Sequence, residues 1–218
     1  MEESWIERIK LIVITNGPEP ERHIEIAKMA VEGGARAVQF RDKSMNDRVF
    51  TETAMKIKDI SDSKGALFFV NDRVHVAKAV GADGVHIGVY DLPVWAARKI
   101  LGSDSIIGYS PCSIKDAKEA VRQGADYLGV GPISKSPTKD DAGEPIGIEG
   151  LVEYIKEKIA PVVAVGGINE KNAGLVVSKG AAGVAVASAV YSSCDMKSKT
   201  SFLIETVERA IKERKVKR

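Results

Sequence analysis

The stretch LFFVNDRVHVAKAVGADGVHI, residues 67–87, carries the pattern that decides the fold. It opens on the apolar run Leu67–Val70, passes through a segment around His75 that reads as helical, turns at Gly81-Ala82-Asp83-Gly84, and resumes as an apolar run to Ile87. Strand, helix and strand in that order imply parallel neighbours, because a parallel partner is reached through a crossover and not through a tight hairpin. Gly81 supplies a left-handed helix cap, and the small residues beside it let helix and sheet approach closely.

Working outward, the same phrase returns as Gly34-Ala35-Arg36-Ala37, Gly124-Ala125-Asp126-Tyr127 and Gly180-Ala181-Ala182-Gly183. Further β-branched runs occur at Leu11–Thr15, Ala37–Phe40, Ile106–Tyr109, Tyr127–Val130, Val162–Val165 and Gly183–Ala187. With Leu67–Val70 and Gly84–Ile87 these make eight candidate strands. Amphipathic stretches of helical period fill the intervals, among them residues 21–32, 47–61, 92–101, 114–123 and 169–178. Strict alternation over 218 residues fits an α/β protein of (β/α)8 TIM-barrel type. The expectation is one domain across residues 1–218, ending in the basic helix terminus Lys212–Arg218.

Composition narrows the function classes. Thirty-two basic and 30 acidic residues leave a net charge of +2 spread along the chain, which gives no general attraction to nucleic acid or anionic membrane. The opening MEESWIERIK lacks the apolar core of a signal peptide, and no later run is long enough to cross a bilayer. Cys112 and Cys194 lie far apart with no metal-type spacing, so a reducing, cytoplasmic setting is expected. Trp5 and Trp95 show no aromatic interleaving and read as packing residues, while His23 and His75 fall on predicted helices and read as structural or solvated. Oligomeric state stays open, homo-oligomers included.

In a barrel of this kind, polar residues at the carboxyl ends of the strands face a shared mouth. The second strand runs into Gln39-Phe40-Arg41-Asp42-Lys43, where Gln39, Arg41 and Lys43 project to one side if the extended conformation continues. Aligned cations there suggest an anion. The third and fourth strands lead into Asn71-Asp72-Arg73 and Gly88-Val89-Tyr90-Asp91. Asp72 and Asp91 either cap the following helices or share a site. Two carboxylates about 4 Å apart repel by about 4 kcal/mol at an effective dielectric near 20, and a divalent cation between them reverses that sign. Magnesium is the natural candidate, with manganese open.

The long polar connection Gly131–Gly143 after the sixth strand reads as a functional loop, with Ser136, Thr138 and Lys139 suited to phosphate oxygens. Val165-Gly166-Gly167-Ile168-Asn169 and Val186-Ala187-Ser188 fall where many barrels hold a phosphate on backbone amides.

Together, Gln39-Phe40-Arg41-Asp42-Lys43, Asn71-Asp72-Arg73, His86-Ile87-Gly88 with Asp91, Ser136-Pro137-Thr138-Lys139 and Gly166-Gly167-Ile168 resemble the thiamine phosphate synthase family, in the family's order and from Leu11 to about Tyr191. The resemblance implies an alkyl transferase. It would join a hydroxymethylpyrimidine diphosphate to a thiazole phosphate, with diphosphate as leaving group and Mg2+ as cofactor. It assigns Gln39, Arg41, Lys43, Asn71 and Lys139 to the diphosphate, Asp72 and Asp91 to the metal, and Ser110 to the pyrimidine. Ser136, Thr138, Gly167 and Ser188, with Ile168 and Ala187 beside them, would serve the thiazole substrate. Arg41, Lys43, Ser110 and Lys139 would carry the catalytic work.

Departures from the family pattern are Val89 where Gln is common, Cys112 where His is common, and Ser134 and Ser136 in the loop. A thiazole tautomerase of related sequence is the alternative, and its catalytic His would fall at Cys112. A non-catalytic phosphate-ligand binder is the third reading.

Overall fold

The computed structural model describes residues 4–135 and 144–216. In chain order the described elements are α1 (Trp5–Arg8), β1 (Leu11–Ile14), α2 (Pro20–Glu32), β2 (Ala37–Phe40), α3 (Asp47–Asp62), β3 (Leu67–Asn71), α4 (Val74–Val80), β4 (Gly84–Gly88), α5 (Val94–Leu101), β5 (Ile106–Ser110), α6 (Ile114–Arg122), β6 (Tyr127–Val130), α7 (Gly147–Glu157), β7 (Val162–Val165), α8 (Ala173–Ser178), β8 (Gly183–Val186), α9 (Ser188–Tyr191) and α10 (Met196–Val216). The strands close into a barrel in sequence order, β8 pairing with β1, and every pairing is parallel. The expected (β/α)8 barrel is what the chain forms. Among the described residues no helix is long and apolar enough to cross a membrane.

The alternation of side chains along each strand builds two apolar shells. Outward residues such as Val13, Val38, Phe40, Phe68, Val70 and Ile107 meet the helices. Inward residues such as Ile12, Ala37, Leu67, Phe69, Tyr127, Val163 and Ala185 fill the barrel, with Ile9 and Trp5 packed at its amino-terminal end. The inner shell sets the register and therefore which strand-end residues reach the mouth.

The repeated glycines act as expected: Gly34, Gly81, Gly124 and Gly180 all have positive φ at helix ends. Two helix starts differ from the sequence reading by more than one residue. α5 begins at Val94 and not Leu92, because Pro93 stands extended at the N-cap and a residue before proline is pushed away from helical ψ. α8 begins at Ala173 and not Asn169, because Asn172 Oδ1 accepts from the Asn169 amide and Asn169 Oδ1 from Lys171, closing a turn first. Trp95 does not pack. It is 57% exposed, since α5 turns Val94, Ala97 and Leu101 inward and Trp95 falls about 100° off that stripe.

Candidate active site

A cavity of about 440 Å³ opens at the carboxyl end of the barrel, bordered by Thr15, Arg41, Ser110, Cys112, Gly166, Gly167, Ile168, Ala187 and Ser188. A recess of about 30 Å³ lies deeper, lined by Gln39, Arg41, Asn71, His86, Ser110 and Tyr127. Arg41 and Ser110 border both, so the two spaces meet at one mouth. Gln39 and Asn71 are buried, held by the inward register of β2 and β3.

Asp72 lies within electrostatic reach of Arg41, which borders both spaces, and Asp91 lies beside Asp72. The Asp72 amide donates to the His86 carbonyl at 2.9 Å, which seats Asp72 directly after β3 with a left-handed φ of 62°. Asp91 Oδ2 accepts from the Gly88 amide at 2.7 Å, closing a turn after β4. Neither carboxylate caps a helix: the N-cap residues of α4 and α5 are Arg73 and Pro93, without a capping side-chain bond. The capping alternative therefore falls away. Burial first, and then the charge of Asp91 and a hydrogen bond with it, push the Asp72 carboxyl up to about 6, while Lys43 and Arg41 pull it down by less. These four groups share one neighbourhood.

The donor set fits a hard divalent cation. Two opposed carboxylates, one of them destabilised in its charged form, gain from an oxygen-seeking metal that also takes phosphate oxygens. Among the described residues there is no cluster of three or more His, Cys, Asp or Glu with metal-holding geometry, so substrate oxygens would have to complete the shell.

The segment that presents Arg41 and Lys43 is fastened from below by Asp42 and by His23, a histidine that reads in the sequence as structural or solvated. Asp42 Oδ1 accepts from the Ser44 and Met45 amides at 2.7 and 2.6 Å and from the Ser44 hydroxyl at 2.9 Å. Its other oxygen stands 3.3 Å from His23 Nε2, which also lies 3.1 Å from the Gly17 carbonyl. Both partners are acceptors only, so Nε2 carries the proton and Nδ1 accepts from Thr15 Oγ1 at 2.8 Å. Burial lowers the pKa of the fully buried His23, with Asp42 pulling the other way. Burial also works against the Asp42 carboxylate, yet the Met45 and Ser44 hydrogen bonds outweigh it and hold its pKa low. Arg73 adds a second tie, donating to the Met45 carbonyl and to Asp47 while lying 4.2 Å over the Phe50 ring.

The opposite wall is backbone. Gly166 and Gly167 have φ of 85° and 69°, and a Cβ on Gly167 would sit 2.1 Å from Ser134 Oγ. Ser134 Oγ and Asn172 Nδ2 donate to the Gly167 carbonyl at 3.0 and 2.9 Å, fixing its direction. The Gly167, Ile168 and Ser188 amides donate to no acceptor among the described residues. They border the cavity beside Ala187, as an anion cradle requires. Ser136, Thr138 and Lys139 lie outside the described residues.

At the back, Ser110 Oγ lies 2.8 Å from His86 Nε2, and His86 Nδ1 lies 3.0 Å from the Tyr127 hydroxyl. Sequence reasoning missed Tyr127, Thr15 and the His23–Asp42 tie. The usable signal was the inward period that places Tyr127 and Gly129 on one face of β6.

The family model for thiamine monophosphate synthase matches residues 11–190. A thiamine-phosphate synthase of Archaeoglobus fulgidus is 44% identical over 201 residues, spanning 92% of this chain and 94% of its own. One from Chloroflexus aurantiacus is 45% identical over 174 residues, 80% of each chain. The solved thiamine phosphate pyrophosphorylase of Pyrococcus furiosus superposes with a TM-score of 0.86 at 39% identity, over 95% of this chain and 100% of that one. With the family match covering most of the barrel and the Archaeoglobus relative nearly the whole chain, the chain belongs to the thiamine monophosphate synthase family.

Proposed function

We propose that the barrel mouth joins 4-amino-2-methyl-5-hydroxymethylpyrimidine diphosphate to a thiazole phosphate, yielding thiamine phosphate and diphosphate. The observation that supports this reading is that Arg41, which borders the same cavity as Gly167, Ile168 and Ser188, shares one electrostatic neighbourhood with Lys43, Asp72 and Asp91. One substrate brings a diphosphate and the other a phosphate, so two anion sites are needed, and both kinds of lining are present.

The reaction is a dissociative alkyl transfer. The bond between the pyrimidine methylene carbon and the diphosphate oxygen breaks, its electron pair leaves with diphosphate, and the ring delocalises the charge on the methylene. The thiazole nitrogen then donates its lone pair to that carbon. Arg41 and Lys43, with Gln39 and Asn71 beside them, bind the departing diphosphate, and Lys139 would join them. Cations arranged before the reaction stabilise the leaving group without reorganising at the moment of bond breaking. Asp72 and Asp91 would hold magnesium, which supplies charge neutralisation of the diphosphate oxygens when bound. Ser110 orients the pyrimidine, and the amides of Gly167, Ile168 and Ser188 hold the thiazole phosphate for capture. Ser136, Thr138 and Ala187 would complete that second pocket. The exposed thiols of Cys112 and Cys194 suit a reducing cytoplasm.

The test is to mix the protein with both substrates and magnesium and to follow thiamine phosphate and diphosphate together. Equal amounts of both products are expected. Diphosphate without thiamine phosphate, or turnover that survives full chelation of divalent metal, would overturn the respective halves of the reading.

A further inference from the structure

Behind the cavity, three polar side chains cross the barrel interior from strand to strand: Tyr127 of β6, His86 of β4 and Ser110 of β5. Two glycines make room for them. A Cβ on Gly108 would lie 2.2 Å from Tyr127 Cζ and 2.5 Å from His86 Nδ1, on the hydrogen bond itself. A Cβ on Gly129 would lie 2.6 Å from His86 Cε1 and 3.4 Å from Ser110 Oγ. The inner faces of β5 and β6 are thus shaped around this chain, which otherwise sits against the Phe69 ring.

The direction of the chain follows from its buried end. Tyr127 is 1% exposed, and burial, with Asp126 adding to it, keeps its phenol protonated. Among the described residues its hydroxyl has one hydrogen-bond partner, His86 Nδ1. A phenol proton that did not point there would be buried without an acceptor, which folded proteins avoid. Tyr127 therefore donates to Nδ1, and a neutral imidazole with Nδ1 accepting carries its own proton on Nε2. Nε2 then donates to Ser110 Oγ. A hydroxyl whose oxygen already accepts from the histidine directs its remaining hydrogen elsewhere, and Ser110 borders both the recess and the cavity.

We infer that Tyr127 and His86 are positioning residues that fix the Ser110 hydroxyl as a hydrogen-bond donor to the pyrimidine, so that the site selects a ring presenting an unprotonated nitrogen at that point. The inference deepens the proposed function and rests on its assignment of Ser110 to the pyrimidine. With the opposite tautomer, Ser110 would donate to the histidine and offer the cavity only an acceptor. The Tyr127 hydroxyl is accordingly the element that chooses the sign of the recognition, although it never touches substrate.

Two measurements test it. The first needs no substrate: nitrogen NMR of protein labelled at histidine, which has three such residues to assign, should show His86 with a bare Nδ1 and a protonated Nε2. Tyr127→Phe, which keeps the ring and its packing, should abolish that preference. A wild-type His86 protonated on Nδ1 would overturn the inference. The second is kinetic. Tyr127→Phe should raise KM for the pyrimidine diphosphate about tenfold, the scale of one hydrogen bond, with a smaller effect on kcat. In a Ser110→Ala background the same change should add less than about twofold, because the interaction it supports is already gone. Penalties that multiply across the two sites would refute action through Ser110. Should the wild-type protein make no thiamine phosphate at all, the proposed function fails, and the tautomer measurement still decides the direction of the chain.

Discussion

Asp72→Asn keeps the outline of the side chain and removes its charge, at a backbone position that tolerates the change. The φ of 62° lies in the left-handed region, which asparagine enters as readily as aspartate, so the substitution adds no strain of its own. In the metal-free fold the charge is a liability, because burial and then Asp91 raise the carboxyl from 3.8 to about 6. A rise of that size corresponds to roughly 3 kcal/mol against the ionised form, and screening of a partly exposed group brings the figure to about 2 kcal/mol. The sign with pH is fixed by linkage. The folded state holds its proton more tightly than the unfolded chain, so stability falls as pH rises from about 3.8 to about 6 and the full penalty stands above that window. With metal chelated at pH 7, Asp72→Asn is therefore expected to be more stable than the parent by about 2 kcal/mol, or about 4–8 °C in Tm for a chain of this size. At pH 4 the difference should nearly vanish. Magnesium should raise the Tm of the parent and leave that of the variant unchanged, and thiamine phosphate formation should disappear in the variant. Thermal melts in chelator and in magnesium at both pH values check every part. A variant less stable than the parent in chelator at pH 7 would refute the reasoning, since Asp72 would then be gaining more from Arg41 and Lys43 than it loses to Asp91.

Arg41→Ala should lower kcat about a hundredfold in steady-state assays, the usual scale for removing one group that stabilises developing negative charge, and a loss below about fivefold would take Arg41 out of that role. Gly167→Ala sets a methyl group against Ser134 Oγ at a φ of 69°, so KM for the thiazole phosphate should rise about tenfold or more while KM for the pyrimidine diphosphate changes little; equal rises in both would count against a separate phosphate cradle. His23→Ala should cost about 3 kcal/mol in urea denaturation, because it strips the buried partner from Thr15 and from Asp42 together, and a loss below about 1 kcal/mol would mean that water replaces the imidazole without penalty.

Much of this architecture could be read from local chemistry. Glycine at a helix end followed by a small residue and an apolar run is a signal contained in four or five residues, and Gly34, Gly81, Gly124 and Gly180 each mark such a junction. Strand ends were equally accessible, since inward and outward faces alternate, and once the barrel is granted Gln39, Asn71 and Ser110 must share its interior. The signal failed where position depends on contacts that sequence spacing does not encode. His23 meets Asp42 across 19 residues and Thr15 across eight, and nothing in the helical period of α2 distinguishes a histidine that anchors a neighbouring loop from one that only fills space. Trp95 misled for the opposite reason: it reads as a packing residue, whereas the narrow inward stripe of α5 is occupied by Val94, Ala97 and Leu101. Tyr127 looked apolar because its run is apolar. Only the register of β4, β5 and β6 reveals that Gly108 stands between it and His86.

The electrostatics of the mouth explain why substitutions there should not behave alike. Arg41 and Lys43 are close enough to lower the Asp72 carboxyl, but burial and Asp91 raise it further than they lower it. The cations therefore do not offset what burial and Asp91 do to the Asp72 carboxylate, and the mouth carries groups of both signs. A diphosphate would answer the cations and a divalent metal the carboxylates, and because the two attract each other, each would make the other's site easier to fill. Positive coupling between magnesium and the pyrimidine diphosphate follows, and by linkage it must be reciprocal. Loss of charge at Asp72 should then relieve the empty fold while uncoupling the two ligands. Loss of Arg41 should instead weaken diphosphate binding even where metal still binds.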